Sequence, residues 1–200
     1  MGFETIIAQQ AGPSFIVTLN RPHRRNAVDL QMMEEIIAAA RQAEDEPTVR
    51  ALIITGGKEY FSAGADLNDA LAVKSPAASA GYFGRWHRLN ATLENLGKPV
   101  IAAIEGFCMT GGCEMALACD IRVAGEGASF AITSSRIGTV PGAGGTQRLP
   151  RIVGIAKALE LMFSAETIAA AEAYRIGLVN RLVPAGGALK EACAMAAVYE

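Results

Sequence analysis

Histidine and cysteine are scarce in this chain of 200 residues: there are two histidines, His23 and His87, and four cysteines, Cys108, Cys113, Cys119 and Cys193. The cysteines show no C-x-x-C spacing, so neither a zinc nor an iron–sulfur centre is expected and no metal site is predicted. Aromatic residues make up only 6% of the chain, charged residues 19%, and the charges nearly cancel at a formal net −2. Without a clustered basic surface, neither nucleic acid nor an anionic membrane is an expected partner. Charge or glycine interrupts every apolar run well before the roughly 18 residues of a spanning helix. The start, Met1-Gly2-Phe3-Glu4, lacks the cationic and apolar regions of an export leader, and Ile6 stands where a myristoylation signal requires Ser or Thr. A soluble, cytoplasmic protein acting on a small neutral or anionic ligand is expected.

What the chain does have is a 51% hydrophobic composition, enough for one sizeable core, with abundant alanine and glycine that let backbones and ligands approach closely. Phe3 to Ala8 and Ser14 to Leu19 read as a hairpin around Gly12-Pro13. Asp29 offers an N-cap to a helix from Leu30 that ends before Pro47. Ala51 to Thr55, Pro99 to Ile104 and Cys119 to Ala124 read as buried strands, with a helix from about Ala80 to Leu96 and another that starts only after Gly111-Gly112. Such alternation predicts an α/β fold with a parallel sheet. Beyond residue 150 the pattern becomes mainly helical: Arg151 to Phe163, Ile168 to Ile176 and Leu189 to Tyr199, with a short strand from Leu178 to Val183. Two parts are therefore expected, a core of residues 1–150 holding the site and a helical part of residues 151–200 used in oligomerisation. The chain stops at Glu200 within an alanine-rich helical stretch that no glycine caps, and the ending reads as an interruption.

Several catalytic signatures fail. Gly142-Ala-Gly144-Gly145-Thr-Gln147 lacks the third glycine of a dinucleotide fingerprint, no P-loop surrounds Lys58 or Lys98, and there is no G-x-S-x-G elbow. What stands out is a pair of strand-exit turns, Phe61-Ser-Ala-Gly-Ala-Asp-Leu67 and Met109-Thr-Gly-Gly-Cys-Glu114. Ligand sites of open α/β sheets form at such strand ends, and two turns rich in small residues suit an oxyanion hole built from main-chain N–H groups. Their glycines are equally what tight turns alone would demand.

These residues resemble the crotonase, or enoyl-CoA hydratase/isomerase, superfamily over nearly the whole chain. The resemblance rests on Leu19-Asn-Arg-Pro22 with Asn26-Ala27, the turn from Phe61 to Leu67, the segment from Pro99 to Glu114, Cys119-Asp-Ile-Arg122, and Gly138-Thr-Val-Pro-Gly-Ala-Gly-Gly-Thr-Gln-Arg148, in the family's order. It implies a spiral of ββα units, a coenzyme A thioester as substrate with no separate cofactor, and a homotrimer or dimer of trimers. By the same resemblance, the N–H groups of Ala65 and Gly111 stabilise a thioester enolate. Arg24, Arg25, Ala63, Asp66, Leu67 and Asn68 line the coenzyme, Arg24 reaching a phosphate, and Gly142 offers an N–H beside the acyl group.

Glu114 matches the first of the two catalytic glutamates of the family's hydratases. A partly desolvated carboxylate suits both the activation of water and the protonation of carbon. An ungapped reading from Phe130 to Pro141 puts Ser134 in place of the second glutamate, and a serine hydroxyl is no comparable acid. The expected activity is that of an enoyl-CoA hydratase. A double-bond isomerase, decarboxylase or thioester hydrolase working through the same enolate is the alternative, as is a coenzyme A-binding scaffold without turnover.

Overall fold

Ala51-Leu-Ile-Ile-Thr55 and Val100-Ile-Ala-Ala-Ile104 are apolar on both faces except for Thr55 at the end of the first, which suits strands covered on both sides, and every residue of both is buried. They are β3 and β4 at the centre of a six-stranded sheet in the computed structural model, which describes residues 2–199. Met1 and Glu200, with the interruption read at Glu200, lie outside the described residues. The hairpin forms as β1 (Ile6–Ala11) and β2 (Ser14–Leu19), the one antiparallel pair of this sheet. From β2 the sheet runs parallel through β3 and β4 to β6 (Ile121–Gly125) and β9 (Arg181–Val183) at the edge. Strand alternation divides the core. Leu52 and Ile54 face one apolar layer, while Ala51 and Ile53 face another.

The first layer is covered by α1 (Leu30–Asp45) and α3 (Pro76–Glu94). Asp29 caps α1 as its sequence predicts, its Oδ1 accepting from Met32 N–H at 2.8 Å. The second layer is closed by α8 (Ala188–Ala196), whose alanines 188, 192 and 196 pack on Ile53, Ile101 and Val123. The helical tail thus also completes the sheet, through α8 and β9.

Other expectations change. The sequence predicts a helix only after Gly111-Gly112, yet α4 spans Thr110–Leu117 and takes both glycines into its first turn. Gly154, at φ 83°, divides the stretch read as one helix into the end of α5 (Gly145–Val153) and α6 (Ile155–Ser164). Ile168–Ala169 forms a short strand, β8, before α7 (Ala170–Arg175). It joins β5 (Phe107–Met109) and β7 (Ser129–Ala131) in a second sheet that a propensity reading misses, its strands being two or three residues long. A five-residue helix, α2 (Leu67–Leu71), follows the first glycine turn. Among the described residues no helix is long and apolar enough to cross a membrane.

Candidate active site

The exits of β3 and β4 meet because glycine lets them. A side chain on Gly56 or on Gly106 would overlap the backbone of Glu59 to Phe61, where the first exit folds back beside the second. Phe61 N–H donates to Phe107 O at 3.0 Å and Met109 N–H to Ser62 O at 2.9 Å, extending a short parallel ladder in which Ser62 pairs with Cys108. Three residues further along both strands, that register brings Ala65 beside Gly111. A Cβ placed on Gly111 would lie 3.1 Å from Ala65 N, and one on Gly64, at φ 104°, would lie 3.3 Å from Gly111 N.

Among the described residues neither amide has an acceptor. Along the first turn, Ala63 N–H donates to Arg25 O and Asp66 N–H to Val28 O, while Gly64 O accepts from Val28 N–H; Ala65 N–H, between them, joins no bond of this ladder. Gly111 N–H belongs to the first turn of α4, where no helical acceptor exists. Thr110 enters that turn at φ 42°, a conformation unfavourable for a β-branched residue, and its Oγ1 lies 2.7 Å from Thr133 Oγ1. Behind Gly111 stands Trp86 of α3, whose ring leaves only 2.9 Å for a Cβ. The first turn is held by side chains instead. Ser62 Oγ donates to Asn26 O and accepts from Gly64 N–H, and Asn26 Nδ2 donates to Gly56 O and Phe61 O. Asp66 pairs with Arg21 at 2.9 Å and accepts from Asn68 N–H. Burial alone would raise the Asp66 carboxyl, but the Arg21 guanidinium and the Asn68 N–H draw it below the usual range.

Glu114 sits one turn into α4 and is 2% exposed. Its Oε1 accepts from Ala143 N–H at 2.9 Å and from Gly145 N–H at 2.8 Å. Gly145 is required for that approach, since a Cβ there would stand 3.0 Å from Oε1. Burial pushes the Glu114 carboxyl up to about 7, against the lowering effect of the two N–H groups and of Arg148. Oε2 makes no hydrogen bond among the described residues. The carboxylate is therefore fixed through one oxygen, free at the other, and poised to gain or lose a proton near neutrality.

Ala65, Gly111, Glu114 and Ser134 line one cavity of about 690 Å³. Ser134 begins a 3-10 turn through Ile137; it is buried, and its carbonyl accepts from Thr139 N–H and Oγ1 while its own hydroxyl bonds to nothing among the described residues. Of the expected binding residues, Arg24, Ala63, Asp66, Leu67, Asn68 and Gly142 border the same cavity, and Asp66 spends its carboxylate on Arg21 and the start of α2. Arg25 is not brought to the lining. It takes φ 52° and serves the turn through its carbonyl. The sequence reading also misses Arg21, Asn26 and Ser62 as turn-holding groups, although Arg21 and Asn26 fall inside a quoted motif. Tyr82, Phe83 and Trp86 on α3 are missed entirely. Their helical spacing signals only a buried face, and nothing in it says that the face opens on a cavity. Among the described residues no cluster of three or more His, Cys, Asp or Glu side chains gathers as metal ligands would.

Residues 13–198 match the family model described as enoyl-CoA hydratase/isomerase. A Mycobacterium tuberculosis protein named "Probable enoyl-CoA hydratase echA8" is 42% identical over 197 residues, covering 98% of this chain and 75% of that protein. The "Crotonyl-CoA hydratase" of Syntrophomonas wolfei is 42% identical over 185 residues, 92% of this chain and 70% of its own. Among solved structures, an enoyl-CoA hydratase from Bacillus anthracis superposes with a TM-score of 0.91 at 35% identity, covering 97% of this chain and 76% of that one.

Proposed function

The chain belongs to the enoyl-CoA hydratase/isomerase family, and from that premise we propose that it adds water across the double bond of an α,β-unsaturated acyl-coenzyme A thioester. The observation that carries this reading is the Glu114 carboxylate, anchored at Oε1 by two backbone N–H groups, free at Oε2 and raised to about 7 beside the two unpaired amides. With the thioester oxygen on Ala65 N–H and Gly111 N–H, conjugation makes the β-carbon electrophilic. Glu114 takes a proton from water as the water oxygen bonds to that carbon, and the π electrons move onto the thioester oxygen as an enolate. The two N–H donors hold the developing charge. Collapse of the enolate returns the proton from Glu114 to the α-carbon, so the glutamate ends as it began and the product has gained one water. The Ser134 hydroxyl orients the water and transfers no proton.

No cofactor beyond the coenzyme A of the substrate enters this chemistry. Arg24, with Ala63, Leu67, Asn68 and the backbone near Gly142, receives the thioester's coenzyme and acyl portions around the cavity rim. Every lining residue lies between Arg24 and Ala143, which supports assigning the site to residues 1–150. The exposed apolar side chains of Ile155, Leu159 and Phe163 on α6 support association through residues 151–200, as a homotrimer or dimer of trimers. A cytoplasmic location completes the reading.

Ser134 favours a second reading. A lone carboxylate can shuttle a proton between carbons of the enolate without water, which is isomerisation. Mass spectrometry of the products from short, branched and cyclic enoyl-CoA esters separates the two. A gain of one water supports hydration, an unchanged mass with a moved double bond supports isomerisation, and unaltered ester in every case contradicts both.

A further inference from the structure

Two peptide groups hold Oε1 of Glu114, and each is in turn held at its own carbonyl. The peptide that ends in Gly145 N–H begins with Gly144 O, which accepts from Gln147 N–H and Arg148 N–H, both at 3.0 Å, as α5 starts. Backbone alone fixes it. The peptide that ends in Ala143 N–H begins with Gly142 O, to which no main-chain group among the described residues donates. Its partner there is a side chain, His87, whose Nε2 lies 2.9 Å from Gly142 O. A carbonyl oxygen only accepts, so Nε2 carries the hydrogen and donates it.

His87 does not border the cavity; it belongs to a row on α3, Phe83, His87, Asn90 and Glu94, whose spacing puts all four on one helix face. Residues 142–148 lie against that row. A Cβ on Gly142 would stand 2.1 Å from the Phe83 ring, Asn90 Nδ2 donates to Ala143 O at 2.7 Å, and Glu94 pairs with Arg148, which itself donates to Ala143 O at 3.1 Å. Asn90 and Arg148 thus fix the carbonyl after Ala143, and the peptide before it is left to His87. Because a peptide is planar, turning the Gly142 carbonyl away swings the Ala143 N–H off Oε1. Burial raises the Glu114 carboxyl, and the Gly145 N–H, the Ala143 N–H and Arg148 of α5 oppose that rise, while burial keeps the Tyr82 phenol of α3 protonated. We propose that His87 is a positioning residue: its imidazole N–H holds the Gly142–Ala143 peptide in the plane that aims the Ala143 N–H at Glu114 Oε1, and so sets both the direction and the basicity of that carboxylate. The inference rests on the thioester reading above, in which Glu114 carries the proton, and adds a group outside the cavity that governs it.

The free protein tests this without a substrate. The infrared band of the protonated Glu114 carboxyl, identified by its loss in Glu114→Gln, is titrated in the wild type, His87→Phe and His87→Gln. With the donor removed in His87→Phe, the midpoint should rise by about half a unit to one unit, because a bond to the charged form of Glu114 is weakened. His87→Gln, whose amide N–H reaches for the same carbonyl, should reverse most of that rise, and His87→Ala, which places no new ring beside Phe83, should reproduce it. In turnover of an enoyl-CoA ester, the acid-side ionisation of kcat/KM should move with the band, and kcat above about pH 8 should fall about 10-fold in His87→Phe. Absence of turnover in every protein would contradict the proposed reaction alone, since the band decides on His87 by itself. A merely structural role would lower the melting temperature and leave the midpoint in place. A midpoint unmoved in both His87→Phe and His87→Ala, or one that rises as far in His87→Gln as in His87→Phe, would overturn the assignment.

Discussion

The two walls of the cavity are built by opposite means. On the β3 and β4 side, the groups facing the ligand space are main-chain amides at Ala65 and Gly111, with Glu114 one turn further, all fixed by strand register, a helix start and glycines whose side chains would collide with backbone. On the other side, residues 133 to 143 form a 3-10 turn and a loop in which Ser134 contributes an unengaged hydroxyl and Ile137 and Val140 are 70% and 72% exposed. The first wall is over-determined, and its geometry survives most side-chain changes. The second is held lightly, so its chemistry can be exchanged at little cost to folding. The proposed mechanism follows that division: it gives the fixed wall the enolate and the proton, and the loose one, with Ser134, the water and the acyl group.

The strongest way to break this comparison is to remove proton transfer from the fixed wall. Glu114→Gln keeps an oxygen for Ala143 and Gly145 N–H and should lower kcat for an enoyl-CoA ester by about 10²–10⁴-fold in a steady-state assay. The same variant should be more stable. The raised carboxyl of Glu114 costs nothing below the ordinary value of 4.5, increasingly more up to about 7, and a constant amount above that. Denaturant melts should therefore show Glu114→Gln gaining roughly 3 kcal/mol at pH 8 and nothing at pH 4. Next in size is Gly111→Ala. Its methyl would crowd Trp86 and stand 3.1 Å from Ala65 N, in the space that the proposed mechanism gives to the thioester oxygen, so kcat should fall by about 10²–10³-fold while circular dichroism stays native.

Smaller effects sharpen the picture. Asp66→Asn keeps the cap on Asn68 N–H but loses the ion pair with Arg21, which ties the first turn to residues 21–29. It should cost about 2–3 kcal/mol in urea melts and lower kcat by about 10-fold, because Ala65 N–H is held less firmly. Ser134→Ala should lower kcat by less than about 10-fold, the loss of one oriented water contact. A fall as deep as that of Glu114→Gln would put proton transfer on the loose wall and reverse the comparison.

The same contrast explains what the sequence reveals. β3 and β4 are legible because an unbroken apolar run buried on both faces has few other uses, and the α1 cap is legible because Asp29 precedes a clear helical period. The pairing of Ala65 with Gly111 is legible only through two turns of similar composition, since the register of Ser62 with Cys108 depends on β5, a three-residue strand too short to leave a pattern. Gly111-Gly112 suggests a delayed helix start because glycine disfavours helices in general, whereas here Ser62 and Trp86 fill the space their side chains would occupy. Tyr82 and Trp86 are invisible as lining residues for a different reason. On a helix of mixed character, a buried aromatic residue looks the same whether it packs inside the core or borders a cavity.

The central claim is that one carboxylate, raised to about 7 and carried by the fixed wall, performs the proton transfer. It is tested most directly by the pH dependence of kcat/KM for a hydrated enoyl-CoA ester, measured on the wild type and on Ser134→Ala. A single ionisation near 7 should limit the acid side in both proteins, the rate rising as Glu114 loses its proton and levelling above about pH 8. A rate that stays level down to pH 5, or an ionisation that disappears with Ser134→Ala, would contradict it.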